Sequence, residues 1–100
     1  MATTSKALAR TAASTSSTTL YTVPSSTTAV ITNVVIANTA STAATFDLLL
    51  DDVSIANDVS VAGNSITAID LKQVLAQNKT IKGLASATTV NFHISGVEIA

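Results

Sequence analysis

The run Thr28-Ala29-Val30-Ile31-Thr32-Asn33-Val34-Val35-Ile36-Ala37-Asn38 is the longest stretch of the chain dominated by β-branched side chains. Val, Ile and Thr suit a pleated, half-buried surface, and with neither Gly nor Pro to interrupt it the run makes one long strand. Val30, Val34 and Ile36 share one parity, while Ile31 and Val35 take the other. Apolar side chains on both faces place this strand in the interior of a sheet.

Working outward, residues 43–50 put Phe46, Leu48 and Leu50 on one face and Thr45, Asp47 and Leu49 opposite, the pattern of a half-buried strand. Asp51-Asp52 then stands between two apolar runs as a hairpin turn, with residues 53–61 as the return limb, kinked at Asn57-Asp58. Gly63-Asn64 marks the next reversal. Thr67, Ile69 and Leu71 read as a strand, but the spacing of Leu71, Lys72, Val74 and Leu75 predicts a short helical turn after it. Gln77-Asn78 ends that turn, residues 79–85 form a short strand with Ile81 inward, and residues 86–88 turn again. In the last run Val90, Phe92 and Ile94 share one parity and Val97 and Ile99 the other, which predicts a β-bulge at Gly96. Upstream, Pro24 cannot donate to a ladder and ends a strand over residues 18–23. Residues 6–13 precede it across the polar turn 14–17 as the first limb of an N-terminal hairpin.

About eight short strands without a long helix predict an all-β fold, a single-domain antiparallel β-sandwich or jelly roll. Residues 18–100 form that domain. Residues 1–17 are an N-terminal arm or first hairpin strand, polar enough to be expected against a partner chain.

Composition narrows the function classes. One hundred residues give one domain, too small for a catalytic domain with a cofactor lobe. With 11% charged residues and a formal net charge of -1, the chain has no basic footprint for nucleic acid or anionic lipid. No apolar stretch reaches the ~18 residues of a membrane helix, and residues 1–10 lack the apolar core of an export signal. The absence of Cys excludes disulfides and thiolate metal sites. A folded surface of about 5,000 Å² follows from the mass, and eleven charged side chains with a mean hydropathy of +0.49 cover it sparsely. Much of that surface is therefore expected to be covered by copies of the chain or by a larger partner.

Individual residues offer little chemistry. His93, the single imidazole, lies on the parity opposite Phe92 and Ile94, with no nucleophile-elbow sequence anywhere; an exposed or interface position is favoured over catalysis. Asp47, Asp51, Asp52 and Asp58 form the one acidic cluster, but without a calcium-loop pattern they read as turn formers that keep strand edges soluble. Lys72, Lys79 and Lys82 lack the interleaved aromatics of single-strand binders and read as solvated edge charges. Asn78-Lys79-Thr80 fits a glycosylation sequon without a secretory signal, and three scattered glycines make no phosphate loop. Tyr21 is the one aromatic outside the expected core, a thin platform for a sugar. No enzyme activity and no cofactor is expected.

Leu20-Tyr21-Thr22-Val23-Pro24, Thr28-Ala29-Val30-Ile31, the Asn38-Thr39 break, Ala43-Ala44-Thr45-Phe46 and the closing Val90-Asn91-Phe92-His93-Ile94-Ser95-Gly96-Val97-Glu98 together resemble a small all-β structural domain of tailed bacteriophages. The resemblance implies a virion protein: a capsid decoration (cement) protein, or alternatively a tail or head-fibre module for host adsorption. Asp51-Asp52 departs from it, standing where such domains often carry glycines. Decoration is favoured, since no coiled coil or collagen-like stalk is present. The implied partners are the major capsid protein and further copies of the chain, as a homotrimer, with no nucleic acid and no membrane. The implied location is the capsid surface after synthesis in the host cytoplasm. Contact positions are expected at Lys6, Leu8, Arg10, Leu20, Tyr21 and His93, with the first strand free to clamp a neighbour by strand addition.

Overall fold

Short β-branched runs punctuated by Ser, Asp and Asn become strands throughout the computed structural model, which describes residues 2–100. In chain order these are β1 (Thr3–Ala12), β2 (Thr18–Thr22), β3 (Thr28–Asn38), β4 (Ala44–Leu50), β5 (Val53–Val61), β6 (Ser65–Leu75), β7 (Thr80–Ala85) and β8 (Val90–Ile99). No helix occurs among the described residues. Met1, the first residue of the expected arm, lies outside them.

The strands form two antiparallel four-stranded sheets, ordered β1-β8-β3-β6 and β2-β7-β4-β5. All-β was the expectation, and this strand order is that of a jelly roll. β4 and β5 are the only consecutive strands within one sheet; every other connection crosses from sheet to sheet. The β4–β5 turn is Asp51-Asp52, as its sequence predicts, with φ of 53° and 61°. Two consecutive left-handed residues give a hairpin turn whose twist matches its strands, and short acidic side chains tolerate that conformation.

The long run Thr28–Asn38 is an interior strand, flanked by β8 and β6. Its two-faced apolar pattern has a specific cause. Ala29 and Ile31 are buried, Thr32 is an extra residue where the register with β8 shifts, and thereafter Val34, Ile36 and Asn38 are buried. Val30 therefore faces away from the core, opposite to Val34 and Ile36, which the simple parity had grouped with it.

Three further expectations are corrected. β1 and β2 are not a hairpin: they belong to different sheets, and residues 13–17 cross between them, with the Ala13 amide bonded to the Val90 carbonyl at 2.7 Å. The helical turn near Leu71–Leu75 is the end of β6. There Leu71 and Lys72 together oppose Thr32, so a bulge produced the helix-like spacing. The bulge foreseen at Gly96 sits in its neighbours instead. β8 alternates without a break, Phe92, Ile94 and Gly96 being buried, while β1 carries its extra residue at Leu8 and β3 at Thr32. Gly96 is required there because a Cβ would lie 2.3 Å from the Val30 carbonyl oxygen and 2.9 Å from Leu8 Cδ1. The kink at Asn57-Asp58 is present, with Asp58 at φ 52° and an irregular register opposite Asp47.

Between the sheets lies one core. Phe46 of β4 and Phe92 of β8, both fully buried, meet edge to face with centroids 6.2 Å apart and planes at 75°. Ile31, Ile36, Leu48, Ile81 and Ile94 pack around them. Asn38, 2% exposed, closes one end. Its amide donates to the carbonyls of Thr42 and Val61 and its oxygen accepts from the Ala40 amide and the Thr89 hydroxyl, at 2.9, 3.3, 3.1 and 3.3 Å. A buried amide with all these partners ties three segments together at no desolvation penalty.

Phe92→Ala is expected to lower the free energy of unfolding by about 3–5 kcal/mol, and Val74→Ala, at a position 66% exposed, by under about 0.5 kcal/mol. Urea denaturation of the three proteins checks the contrast. Gly96→Ala should destabilise more than the exposed substitution despite adding a single methyl group.

Candidate functional site

The expected contact residues fall into two groups. Lys6, Leu8, Leu20 and Tyr21 converge on the flank where β1 of one sheet and β2 of the other lie at the sandwich edge. Leu8 is buried in the core, and Leu20 and Tyr21 are half-buried against it. These three side chains therefore hold the chain together and leave little surface for a partner. Arg10 and His93 are paired neighbours on β1 and β8. Both are exposed on the outer face of the first sheet.

At the β1/β2 flank the structure adds a residue that the sequence reading did not single out. Glu98 of β8 accepts a hydrogen bond from the Tyr21 hydroxyl of the opposite sheet and sits 3.4 Å from Lys6 Nζ. One carboxylate thus bridges both sheets and the edge strand. The alternation of β8 directs Glu98 to the same side as Phe92 and Ile94, a parity signal visible in the sequence, but its partner Tyr21 is 77 residues away. The hydrogen bond from Tyr21, and secondarily Lys6, hold the Glu98 carboxyl below its usual value against the opposing effect of burial. Burial first, and then the hydrogen bond and charge of Glu98, push the Tyr21 hydroxyl above its usual value. Both shifts describe one contact seen from its two ends. It is a seal between sheets and does no chemistry by itself.

The acidic residues do not assemble into a cation site. Asp51 lies 3.6 Å from Lys79 Nζ and Asp52 2.7 Å from Lys82 Nζ, while Asp47 Oδ1 accepts the Asp58 amide at 2.8 Å across the β4–β5 kink. Each of these carboxylates has its own local partner, and Lys82 holds the Asp52 carboxyl below its usual value. Among the described residues no group of three or more His, Cys, Asp or Glu side chains is placed to hold a metal ion. His93 has exposed surroundings and faces Arg10 on one side and Val35 on the other, with no carboxylate or nucleophile paired to it. A shallow, open depression of about 450 Å³ is lined by Ala37, Asn38, Thr39, Asn64, Ser65 and Ile66. It has no charged wall, and the Asn38 side chain already spends its hydrogen bonds internally.

The more informative feature is the surface. Val53, Ile55 and Val59 on β5 and Ile66 and Val74 on β6 are exposed large apolar side chains, all on edge strands at the flank opposite Tyr21 and Glu98. The sequence showed Ile66 and Val74 on the parity opposite Thr67 and Ile69, a signal hidden at Val74 by the helix-like spacing. No helix among the described residues is long and apolar enough to cross a membrane. Comparison with protein-family models, with curated proteins and with solved structures finds no match to this chain.

The Tyr21–Glu98 contact predicts stability losses at both pH extremes. Glu98 has a depressed folded value, so its contribution is present above the unfolded value near 4.5 and is lost as pH falls through the folded one. Tyr21 has a raised folded value, so its contribution is complete below about pH 10 and declines as pH rises past it. Glu98→Gln should flatten the acid limb of a plot of Tm against pH, and Tyr21→Phe should reduce both limbs. Thermal melts across the pH range test this.

Proposed function

We propose that the chain is a virion structural protein: a capsid decoration protein that binds the outer surface of a tailed-phage head and stabilises it. The observation that carries this reading is a jelly roll with, among the described residues, five exposed large apolar side chains on a surface of 5207 Å² served by only eleven charged residues. Such a surface is made for covering, because isolated domains keep contiguous apolar patches small and charges frequent. The jelly roll is an architecture used by viral capsid domains and by lectins, and that analogy supports the reading without supplying a function by itself.

In this proposal the partner is the major capsid protein, and the working location is the head surface. The β5 edge presents Val53, Ile55 and Val59 together with unpaired backbone groups, and it supplies the shell contact. This moves the contact away from the Lys6, Leu8, Leu20 and Tyr21 flank, whose apolar members are engaged internally. Binding to the assembled shell and not to its dissociated subunits stabilises the shell by mass action.

Calibrated gel densitometry of purified particles should find hundreds of copies, and particles lacking the chain should open at lower temperature. A handful of copies would indicate the tail or fibre role, and none would refute a virion role. Val53→Lys with Ile55→Lys should abolish rebinding to stripped particles while leaving the fold intact.

A further inference from the structure

The outer face of the β1-β8-β3-β6 sheet is ruled by the strand register into rows, each crossing all four strands. One row is Ser5–Val97–Val30–Val74, the next Ala7–Ser95–Asn33–Asp70, the next Arg10–His93–Val35–Ala68, and the last Ala12–Asn91–Ala37–Ile66. Apolar side chains therefore concentrate in the Val97–Val30–Val74 row, with Ile66 at the far corner of the face and the polar and charged residues in the two rows between; Val74 and Ile66 are 66% and 68% exposed. The outer face of the other sheet carries mainly Thr, Ser, Asp and Lys, as at Thr45, Asp47, Thr80 and Lys82. Charge is also divided between the faces. Lys6, Lys79 and Lys82 are each satisfied by a carboxylate of this chain. Among the described residues the cations outside these ion pairs, Arg10 and Lys72, both lie on the first sheet, as does the exposed Asp70.

We propose that this face seats a second copy of the chain, the two related by a twofold axis running along the strands. Arg10 on β1 and Asp70 on β6 stand at opposite margins of the face, one row apart. Rotation about that axis lays β1 of each copy over β6 of the other, which brings each Arg10 within side-chain reach of the other copy's Asp70 and stacks the valine row of each copy on that of the other. A twofold axis across the strands instead sets each strand on itself, which brings Asp70 beside Asp70 and Arg10 beside Arg10, so the charges select the first arrangement. Strand spacing and rise give a face of roughly 500 Å², about 1,000 Å² over two copies, the size at which specific association begins. Sheets packed in this way lie about 10 Å apart with their strands inclined by about 30°. An isologous contact closes at two copies, in place of the threefold association that the sequence resemblance implies. The pairing is independent of any shell and leaves the β5 edge free.

Sedimentation equilibrium of the purified chain, from micromolar to millimolar concentration, tests the proposal. A monomer–dimer equilibrium is expected. Val74→Lys and Val97→Lys should each abolish the dimer, with circular dichroism confirming the fold; Val74 is exposed enough for its substitution to be tolerated. Arg10→Asp and Asp70→Arg should each weaken association roughly tenfold, since every pair occurs twice, and the double variant should restore it. Val53→Lys with Ile55→Lys, aimed at the proposed shell contact, should leave the dimer unchanged, so failure of one proposal is separable from failure of the other. A monomer at every concentration, a trimer, a dimer indifferent to Val74→Lys, or a charge swap without rescue would each overturn the inference.

Discussion

Everything in this molecule hangs on two sheets that can hide their inner faces only against each other. The chain has two phenylalanines, and it places one on each sheet, at Phe46 and Phe92, so that the ring edge of one meets the face of the other at the centre. Around this contact aliphatic side chains, mainly Val, Ile, Leu and Ala, fill the space between the sheets. Because nearly every connection changes sheet, breaking that central contact loosens the whole path of the chain and not one hairpin alone. Local features such as the Asn38 network and the Tyr21–Glu98 seal close the two margins of the same slab.

How much of this was legible in the residues depends on the range of the information. Strand positions were, because β-branched runs and polar turn residues act locally: Asp51-Asp52, Asn64 and Asn78 all take left-handed backbone at reversals. The alternation of β4 was equally plain, since that strand's inward residues 44, 46, 48 and 50 run without interruption. What parity could not carry was the bulge. Thr32, Leu8 and the Leu71-Lys72 pair each insert a residue, which shifts the apolar pattern by one and mimics either a two-faced strand or a turn of helix. Sheet membership was invisible for a different reason: a turn sequence states that the chain reverses, but not whether it returns beside itself or crosses the slab. The supposed N-terminal hairpin failed on that point.

The candidate surfaces follow the same division. Tyr21 and Leu8 looked available because their burial depends on partners far along the chain, Glu98 and the core around Gly96. Ile66 and Val74 drew no attention as surface, Val74 because it read as part of a helical turn, yet they stand on the outward parity of an edge strand. A chain with so few ionised groups spends three of its five cations neutralising its own carboxylates, which leaves the outer face of one sheet with a sparse and separated set of charges. Opposite charges at the two margins, one row apart, beside a row of valines form a pattern that two identical faces can read in each other.

The pairing of β1 with β8 sets Thr3 against Ile99 and joins the Ala2 and Ala100 backbones by reciprocal hydrogen bonds of 2.8 Å. On a translating ribosome the first strand emerges early but has no neighbour until the last strand has been made and has cleared the exit tunnel. Its sheet is closed by a pairing that spans nearly the whole domain, so β1 waits unpaired until β8 is available.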